Sequence, residues 1–277
     1  MSGMGVGGGG DIEHRGWRVT VAALCINLAL GILYTWSVIS NGVPDEWNWS
    51  QTDKSWPYSV ACLVFCLVMV PAGRMQDVVG PRIVATLGGV LVGVGMILAS
   101  FTHTAVGYIM GFGVLAGAGI GFGYASATPP AVKWFPAAKT GMIAGIVVSG
   151  FGLASVYAAP LSNWLIESFD LSKAVMFLGI AFLVVVVGFA QLLQSPPKGY
   201  TPAGTPKPSS SATSATKKEY LPSEMLRTWQ FYCLWFTYAC GAGAGLMIIS
   251  KLAKIASVQA GLQLGFVLVA VLAIGNG

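Results

Sequence analysis

Long apolar stretches separated by short polar connections run through the whole sequence. A helix needs roughly 20 apolar residues to cross the hydrocarbon core of a bilayer, which is about 30 Å thick. Pro129 and Pro130 are expected to kink or end the fourth stretch, because proline lacks the backbone donor that a helix needs. The pattern predicts an all-α transmembrane protein surrounded by a lipid bilayer. The eight candidate membrane-spanning stretches cover residues 17–40, 55–73, 81–101, 105–130, 139–165, 173–193, 228–250 and 261–277.

One connection is much longer than the others and divides the chain. Residues 194–227 are rich in Pro, Ser, Thr and Lys, a composition that does not form a core and predicts a disordered linker. The predicted organisation is therefore a flexible, glycine-rich tail (1–16), a six-helix transmembrane half (17–193), this linker, and the first two helices of a second half (228–277).

The distribution of basic residues predicts the orientation. With the N-terminus inside, the inner segments and the linker carry eleven of the fifteen lysines and arginines. The outer segments carry only Lys54, Lys173, Lys251 and Lys254. We therefore expect a multi-pass protein of the cell (inner) membrane with a cytoplasmic N-terminus. Lys251 and Lys254 go against this rule and have no explanation in the sequence.

Composition argues against a soluble enzyme or a nucleic-acid-binding protein. Only 9% of the residues are charged, against 55% that are hydrophobic, and the net charge of +5 is explained by basic inner loops. The cysteines lie in apolar stretches without metal-ligand spacing to histidine. The glycine-rich segment 116–123 follows no strand and lies inside an apolar stretch, so it does not indicate a nucleotide site. We expect no catalytic residue, no metal and no cofactor.

Glycines recur every four residues in two of the stretches, a spacing that lets helices approach closely. We expect both ladders to lie at helix–helix contacts. Their members are Gly113, Gly117 and Gly121 in the fourth stretch, and Gly141, Gly145 and Ser149 in the fifth.

A short motif, GRMQDVVGPR, connects the second and third stretches at residues 73–82. Its glycines are expected to permit tight turns, and Pro81 is suited to the first turn of the next helix. The motif resembles the loop signature of the major facilitator superfamily. The resemblance implies that its acid docks on a helix end of the other half and holds one conformation. The implied conformational-gate residues are Gly73, Arg74, Asp77, Gly80 and Arg82.

Four further segments together resemble the oxalate/formate antiporter family of carboxylate transporters. They are GILYTWSV (31–38), GIGFGYASATPPAVKWFP (119–136), PPKGY (196–200) and SEMLRTWQFYCLW (223–235). The resemblance covers nearly the whole chain beyond the glycine tail. It implies the major facilitator fold, with a complete six-helix N-terminal half and the first two helices of the C-terminal half.

Three residues are candidates for substrate binding. Tyr34 and Tyr124 match tyrosines that line the cavity in the family. Asn27 lies on the same helical face as Tyr34, and is either a cavity residue or a hydrogen-bonding partner of another helix. Leu33 replaces the more polar residue expected in oxalate exchangers, which favours a monocarboxylate.

The cationic part of the family's site is expected outside this sequence. In the family, an arginine that binds the substrate carboxylate follows an Asn-Gly pair in the eighth helix, and here that pair is Asn276-Gly277 at the end of the chain. A lysine of a later helix would also be missing. Helices nine to twelve are therefore expected to complete the protein, and residues 1–277 alone are not expected to transport.

The expected function is secondary active transport of a small organic anion, either a monocarboxylate or an oxalate/formate-like carboxylate, by alternating access. Exchange for a counter-anion and coupling to protons both remain open. Two alternatives also remain: efflux of amphipathic compounds, and a membrane sensor with the same fold that binds a ligand without transporting it.

Overall fold

The computed structural model describes residues 9–197, 199–202, 222–260 and 265–276. Helices account for all the regular secondary structure of these residues. Span 1 comprises the α-helix Gly9–Leu30, the 3₁₀ segment Gly31–Thr35 and the α-helix Trp36–Asn41. Span 4 comprises the α-helix Ala105–Tyr108, the π-helical segment Ile109–Ala116 and the α-helix Gly117–Val132.

The other spans are more regular. They are span 2 (Trp56–Val79), span 3 (Pro81–Ser100), span 5 (the 3₁₀ segment Ala137–Lys139 and the α-helix Thr140–Ser168), span 6 (Leu171–Ala190), span 7 (Trp229–Ala260) and span 8 (Gly265–Asn276); short helices also cover Asp45–Trp47 and Pro222–Met225. Among the described residues, seven helices are long and apolar enough to cross a membrane, which confirms a multi-pass membrane protein. Span 8 has twelve described residues, and the rest of its predicted stretch lies outside the described residues.

Several helices extend past their predicted boundaries. Span 1 begins at Gly9, so residues 9–16, predicted as part of a flexible tail, are helical; no proline interrupts them. Span 4 continues through Pro129 and Pro130, which therefore do not end it. In lipid a helix tolerates proline because leaving the helix would expose further backbone groups without water to bind them.

The predicted linker falls largely outside the described residues, which exclude residue 198 and residues 203–221. Its described parts are an irregular segment up to residue 202 and the short helix Pro222–Met225. The prediction of disorder there stays a prediction.

The first six spans form one bundle. Span 3 packs along span 6, span 4 packs on spans 2 and 3, and span 1 packs on spans 4, 5 and 6. The glycine ladder of span 4 lies at such a contact, because a Cβ on Gly117 would lie 2.9 Å from the Cα of Ala61. The second ladder was wrongly predicted: a Cβ on Gly141 or Gly145 would meet no described atom within 4 Å. Glycine spacing alone does not show which face another helix covers.

Spans 7 and 8 cover one part of this bundle. Span 8 packs on span 5, and span 7 packs on the part of span 1 that precedes Asn41. The Tyr58 hydroxyl, near the start of span 2, donates to the carbonyl of Leu246 at 3.4 Å. Spans 2 and 7 therefore meet at the end of the bundle where span 2 begins, whereas the open space around Gly141 lies towards the opposite end.

Candidate functional site

The gate motif has a different backbone from the one its glycines suggested. Gly73 lies inside span 2, which continues to Val79, so the predicted tight turn at Gly73 does not occur. Gly80 makes the whole turn, with a φ of 97° that side chains other than glycine rarely adopt. Pro81 begins span 3, as predicted. No proline lies between Gly73 and Val79 to interrupt the helix, and Gly80 and Pro81 end it.

Asp77 joins two helices at this end of the bundle. Its Oδ1 accepts a hydrogen bond from Gln76 at 2.8 Å and lies 3.4 Å from the Lys133 Nζ at the end of span 4. Arg74 and Arg82, the two arginines of the motif, are exposed. The motif therefore contains two basic residues and one acidic residue, Asp77. Gln76 and Lys133 both belong to the six-helix half. The docking of Asp77 on the second half therefore stays a prediction.

The two candidate tyrosines come together around one phenylalanine. Tyr34 of span 1 meets Phe151 of span 5 edge-on, with ring centroids 5.1 Å apart. Tyr124 of span 4 meets the same ring edge-on at 5.2 Å. Phe65 of span 2 stacks on Phe151 at 6.1 Å and meets Tyr124 edge-on. We call these four residues the aromatic cluster.

A narrow cavity lies beside Tyr34, between the six-helix half and spans 7 and 8. The first half contributes Tyr34, Gly152 and Ser155 to its wall. Ser155 is 1% exposed, and its Oγ has no hydrogen-bond partner among the described residues. The second half contributes the apolar residues Ile249, Val269, Leu272 and Ala273.

Asn27 lies between helices. It is completely buried, and its Nδ2 donates to the carbonyl of Val147 in span 5 at 2.8 Å. Of the two interpretations left open by the sequence, this contact favours the helix–helix hydrogen bond. Asn27 and Tyr34 are close on one helix, yet only Tyr34 lines the narrow cavity.

Leu33 lies in the hydrophobic core with 2% of its surface exposed, and does not line the narrow cavity. Its identity therefore gives no support to a monocarboxylate over oxalate. The change from α-helix to 3₁₀ segment at Gly31 alters the angular spacing of these residues, which helical periodicity in the sequence did not predict.

Sequence reasoning missed Phe65, Phe151 and Ser155. The two phenylalanines and the serine belong to apolar stretches and to no recognised motif. Their role depends on which helix faces meet. A serine in a strongly apolar stretch is a weak signal by itself, because serine commonly donates to its own helix backbone.

Comparisons with known proteins agree with this architecture. The family model described as Major Facilitator Superfamily matches residues 14–277. The chain is 25% identical over 246 residues to the uncharacterized MFS-type transporter YhjX of Escherichia coli, covering 89% of this chain and 59% of that protein. It is 26% identical to the oxalate:formate antiporter of Oxalobacter formigenes, covering 87% of this chain and 56% of the antiporter.

A human relative and a solved structure extend the comparison. Human monocarboxylate transporter 11 is 27% identical, over 68% of this chain and 40% of its own length. A bacterial homolog of the human lysosomal transporter Spinster, in an inward-facing and unoccupied conformation, superposes with a TM-score of 0.66 at 19% identity, covering 94% of this chain and 61% of that one. The chain thus spans a little over half the length of its bacterial relatives. With the family model matched from residue 14 to residue 277, this multi-pass membrane protein belongs to the major facilitator superfamily.

Proposed function

We propose that the chain forms the larger part of a secondary active transporter for a small organic anion of the carboxylate class. The observation that carries the proposal is the Ser155 hydroxyl, buried without a described partner in the narrow cavity that Tyr34 also lines. Buried polar groups are usually hydrogen-bonded, and of the six buried side-chain atoms without a described partner, the Ser155 Oγ is the one whose residue lines this cavity. The printed names of the relatives, an oxalate:formate antiporter and monocarboxylate transporters, support the ligand class.

The cavity has a volume of about 10 Å³ in this conformation, about the space of one water molecule, so the two halves would have to separate there before a small carboxylate could enter. The chemistry of its wall suits such a ligand. The hydroxyls of Tyr34 and Ser155 are neutral donors, and a carboxylate accepts several hydrogen bonds through its two oxygens. Ile249 and Val269, on the opposite wall, would contact a short aliphatic chain. The balancing positive charge would come from the residues that follow Asn276-Gly277 in the family.

Tyr124 would act from the opposite side of Phe151. Because both tyrosines rest on this one ring, a movement of span 5 would reach Tyr34 and Tyr124 together. We propose that Asn27 holds spans 1 and 5 in register and does not touch the substrate.

The transport cycle would follow alternating access. The two halves meet at the end of the bundle where span 2 begins and span 7 ends. Under the proposed orientation this end faces outside. The gate motif would then lie on the cytoplasmic side, where Asp77 and its arginines would change partners as the halves rock. Exchange for a counter-anion or coupling to protons would supply the driving force.

Flux measurements test the proposal. The protein, extended to the end of its reading frame, is reconstituted in proteoliposomes, and counterflow of labelled lactate, formate and oxalate is recorded. Tyr34→Phe, Tyr124→Phe and Ser155→Ala should each raise KM about tenfold, since each removes a hydrogen bond to a charged group. Tyr157→Phe is the matched control, because the Tyr157 hydroxyl donates to the Leu28 carbonyl at 2.9 Å and does not line the cavity.

Three results would count against the proposal. Export of amphipathic compounds without carboxylate counterflow would favour the efflux function. Saturable carboxylate binding without flux would favour a sensor. Equal KM values for the Tyr34, Ser155 and Tyr157 variants would show that this cavity does not bind the substrate, and an unchanged KM for Tyr124→Phe would show the same for Tyr124.

A further inference from the structure

The two lysines that oppose the charge rule line an open cleft where spans 2 and 7 meet. The cleft has a volume of about 600 Å³ and lies between the start of span 2 and the last turns of span 7. We call it the lysine cleft. The residues that matter here are Gln51 and Ser55 from the six-helix half, and Lys251, Lys254, Ile255 and Val258 from span 7.

Both lysines reach across to the first half. The Lys251 Nζ donates to the Ser55 Oγ at 2.5 Å, and the Lys254 Nζ donates to the Gln51 Oε1. An ammonium group can turn its N–H donors towards another acceptor, so a carboxylate could replace Ser55 as the partner of Lys251. Residues three apart on a helix lie on the same face, which brings the two positive charges to one side of the cleft.

Like charges at this spacing repel each other, and an anion between them would remove the repulsion. A carboxylate is acceptor-only and takes charge-assisted hydrogen bonds from more than one donor. Ile255 and Val258 provide an apolar wall beside the ammonium groups. A small anion with a carboxylate at one end and a short aliphatic chain at the other matches both surfaces.

The lysine cleft and the narrow cavity lie at nearly the same height on span 7 but on different sides of it, because residues two apart differ by about 200° around a helix. Ile249, which lines that cavity, precedes Lys251 by two residues, which is about 3 Å along the helix axis. A ligand in the cleft would sit where the start of span 2 meets the end of span 7.

We propose that the lysine cleft is a second, peripheral binding site for a small monocarboxylate, separate from the narrow cavity. The ligand class rests on the proposed function. The ammonium group of Lys251 would exchange its bond to Ser55 for one to the carboxylate. Binding would thereby weaken the contact that holds spans 2 and 7 together and favour opening of this end.

Binding can be measured without transport. Chain 1–277 is placed in lipid nanodiscs, and its lysines are converted to ¹³C-dimethyl-lysine, which keeps the positive charge and one N–H donor for the carboxylate. NMR spectra are then recorded during titration with sodium lactate. Each lysine signal is assigned by replacing that lysine with arginine, which removes its signal. The signals of Lys251 and Lys254 should shift saturably, with no comparable shift in sodium chloride at equal ionic strength. Lys173, already paired with Asp170 at 3.0 Å, is the internal control.

Substitutions add a second measurement. Lys251→Gln should raise the lactate Kd about tenfold through loss of a charge-assisted hydrogen bond, whereas Lys251→Arg, which keeps the charge and a donor, should stay within about threefold. Size-exclusion chromatography checks folding of each variant. Equal Kd values for Lys251→Gln and the parent chain, or equal shifts at Lys173, or equal shifts with chloride, would overturn the proposal.

The outcomes separate this site from the proposed function. Saturable shifts at Lys251 and Lys254 without carboxylate flux would support the binding site in the lysine cleft and contradict the transport proposal. Carboxylate flux with lysine signals that do not respond to lactate would contradict the binding site in the lysine cleft and support the transport proposal.

Discussion

Replacing Gly31 with alanine tests the packing that places Tyr34 against Phe151. Gly31 begins the 3₁₀ segment of span 1 and lies directly on span 5. A Cβ at this position would lie 2.3 Å from the Ala154 Cβ and 2.4 Å from the Phe151 carbonyl oxygen. Carbon atoms in contact are normally about 3.5–4 Å apart, so spans 1 and 5 would have to separate locally by more than about 1 Å.

The cost can be isolated with a matched variant on span 5. Overpacking of this kind costs about 1–3 kcal/mol. Any glycine-to-alanine change also stabilises by about 0.4–1 kcal/mol, because alanine restricts the unfolded chain. Gly145→Ala carries the second effect without the first, since a Cβ there would meet no described atom within 4 Å. The difference between the Gly31 and Gly145 variants should therefore be about 1–3 kcal/mol, with Gly31→Ala less stable.

Equilibrium unfolding by sodium dodecyl sulfate in mixed micelles measures this difference. The reasoning also predicts that Gly31→Ala weakens substrate binding, because separation of spans 1 and 5 moves Tyr34 relative to Phe151. Equal free energies of unfolding for the two variants would refute the close approach of the helices. A destabilised Gly31 variant with an unchanged KM would refute the link between this packing and the site.

Three further predictions concern single positions. Gly80→Ala should destabilise by about 1–3 kcal/mol, because its φ of 97° strains other residues, whereas Gly73→Ala, inside a helix with open space around it, should not destabilise; detergent unfolding compares them. Asn27→Ala should lower the free energy of unfolding by about 0.5–2 kcal/mol and leave the substrate KM unchanged; a raised KM would return Asn27 to the site. The backbone N–H of Lys173 lowers the pKa of Asp170, which caps span 6. The charged carboxylate of Asp170 therefore stabilises the folded protein above the unfolded pKa of about 3.9. The stability advantage of the parent chain over Asp170→Asn should shrink as pH falls through the folded pKa. Melting temperatures measured across pH test this, and an advantage that does not change with pH would contradict the assignment.

Local patterns predicted the membrane spans and one of the two turns expected in the gate motif, the one at Gly80. Length and hydropathy located the seven helices of the described residues that are long enough to cross the membrane, because lipid forces an apolar segment to satisfy its own backbone. Pro81 was correctly placed at the first position of span 3. The ends of helices were less predictable, as the continuation past Pro129 and Pro130 shows, since helix length also depends on what surrounds the ends.

The candidate site was only partly predictable. Tyr34 and Tyr124 came from a family resemblance, and the structure brings them together on Phe151. Ser155 carried no signal in the sequence, because its importance comes from a missing partner and not from its neighbours along the chain. The same holds for Asn27, whose partner in span 5 could be identified only from the packing of two helices.

By itself, the sequence determined that this chain crosses a bilayer several times, because the hydropathy and length of a segment decide its partition into lipid one helix at a time. The tertiary structure decided which faces of those helices meet. In the sequence Lys251 is an exception to the distribution of basic residues, and the structure shows that it donates a hydrogen bond to Ser55, just before span 2. Contacts between distant segments depend on side-chain shape and on three-dimensional packing, and no local pattern of hydrophobic and polar residues records either.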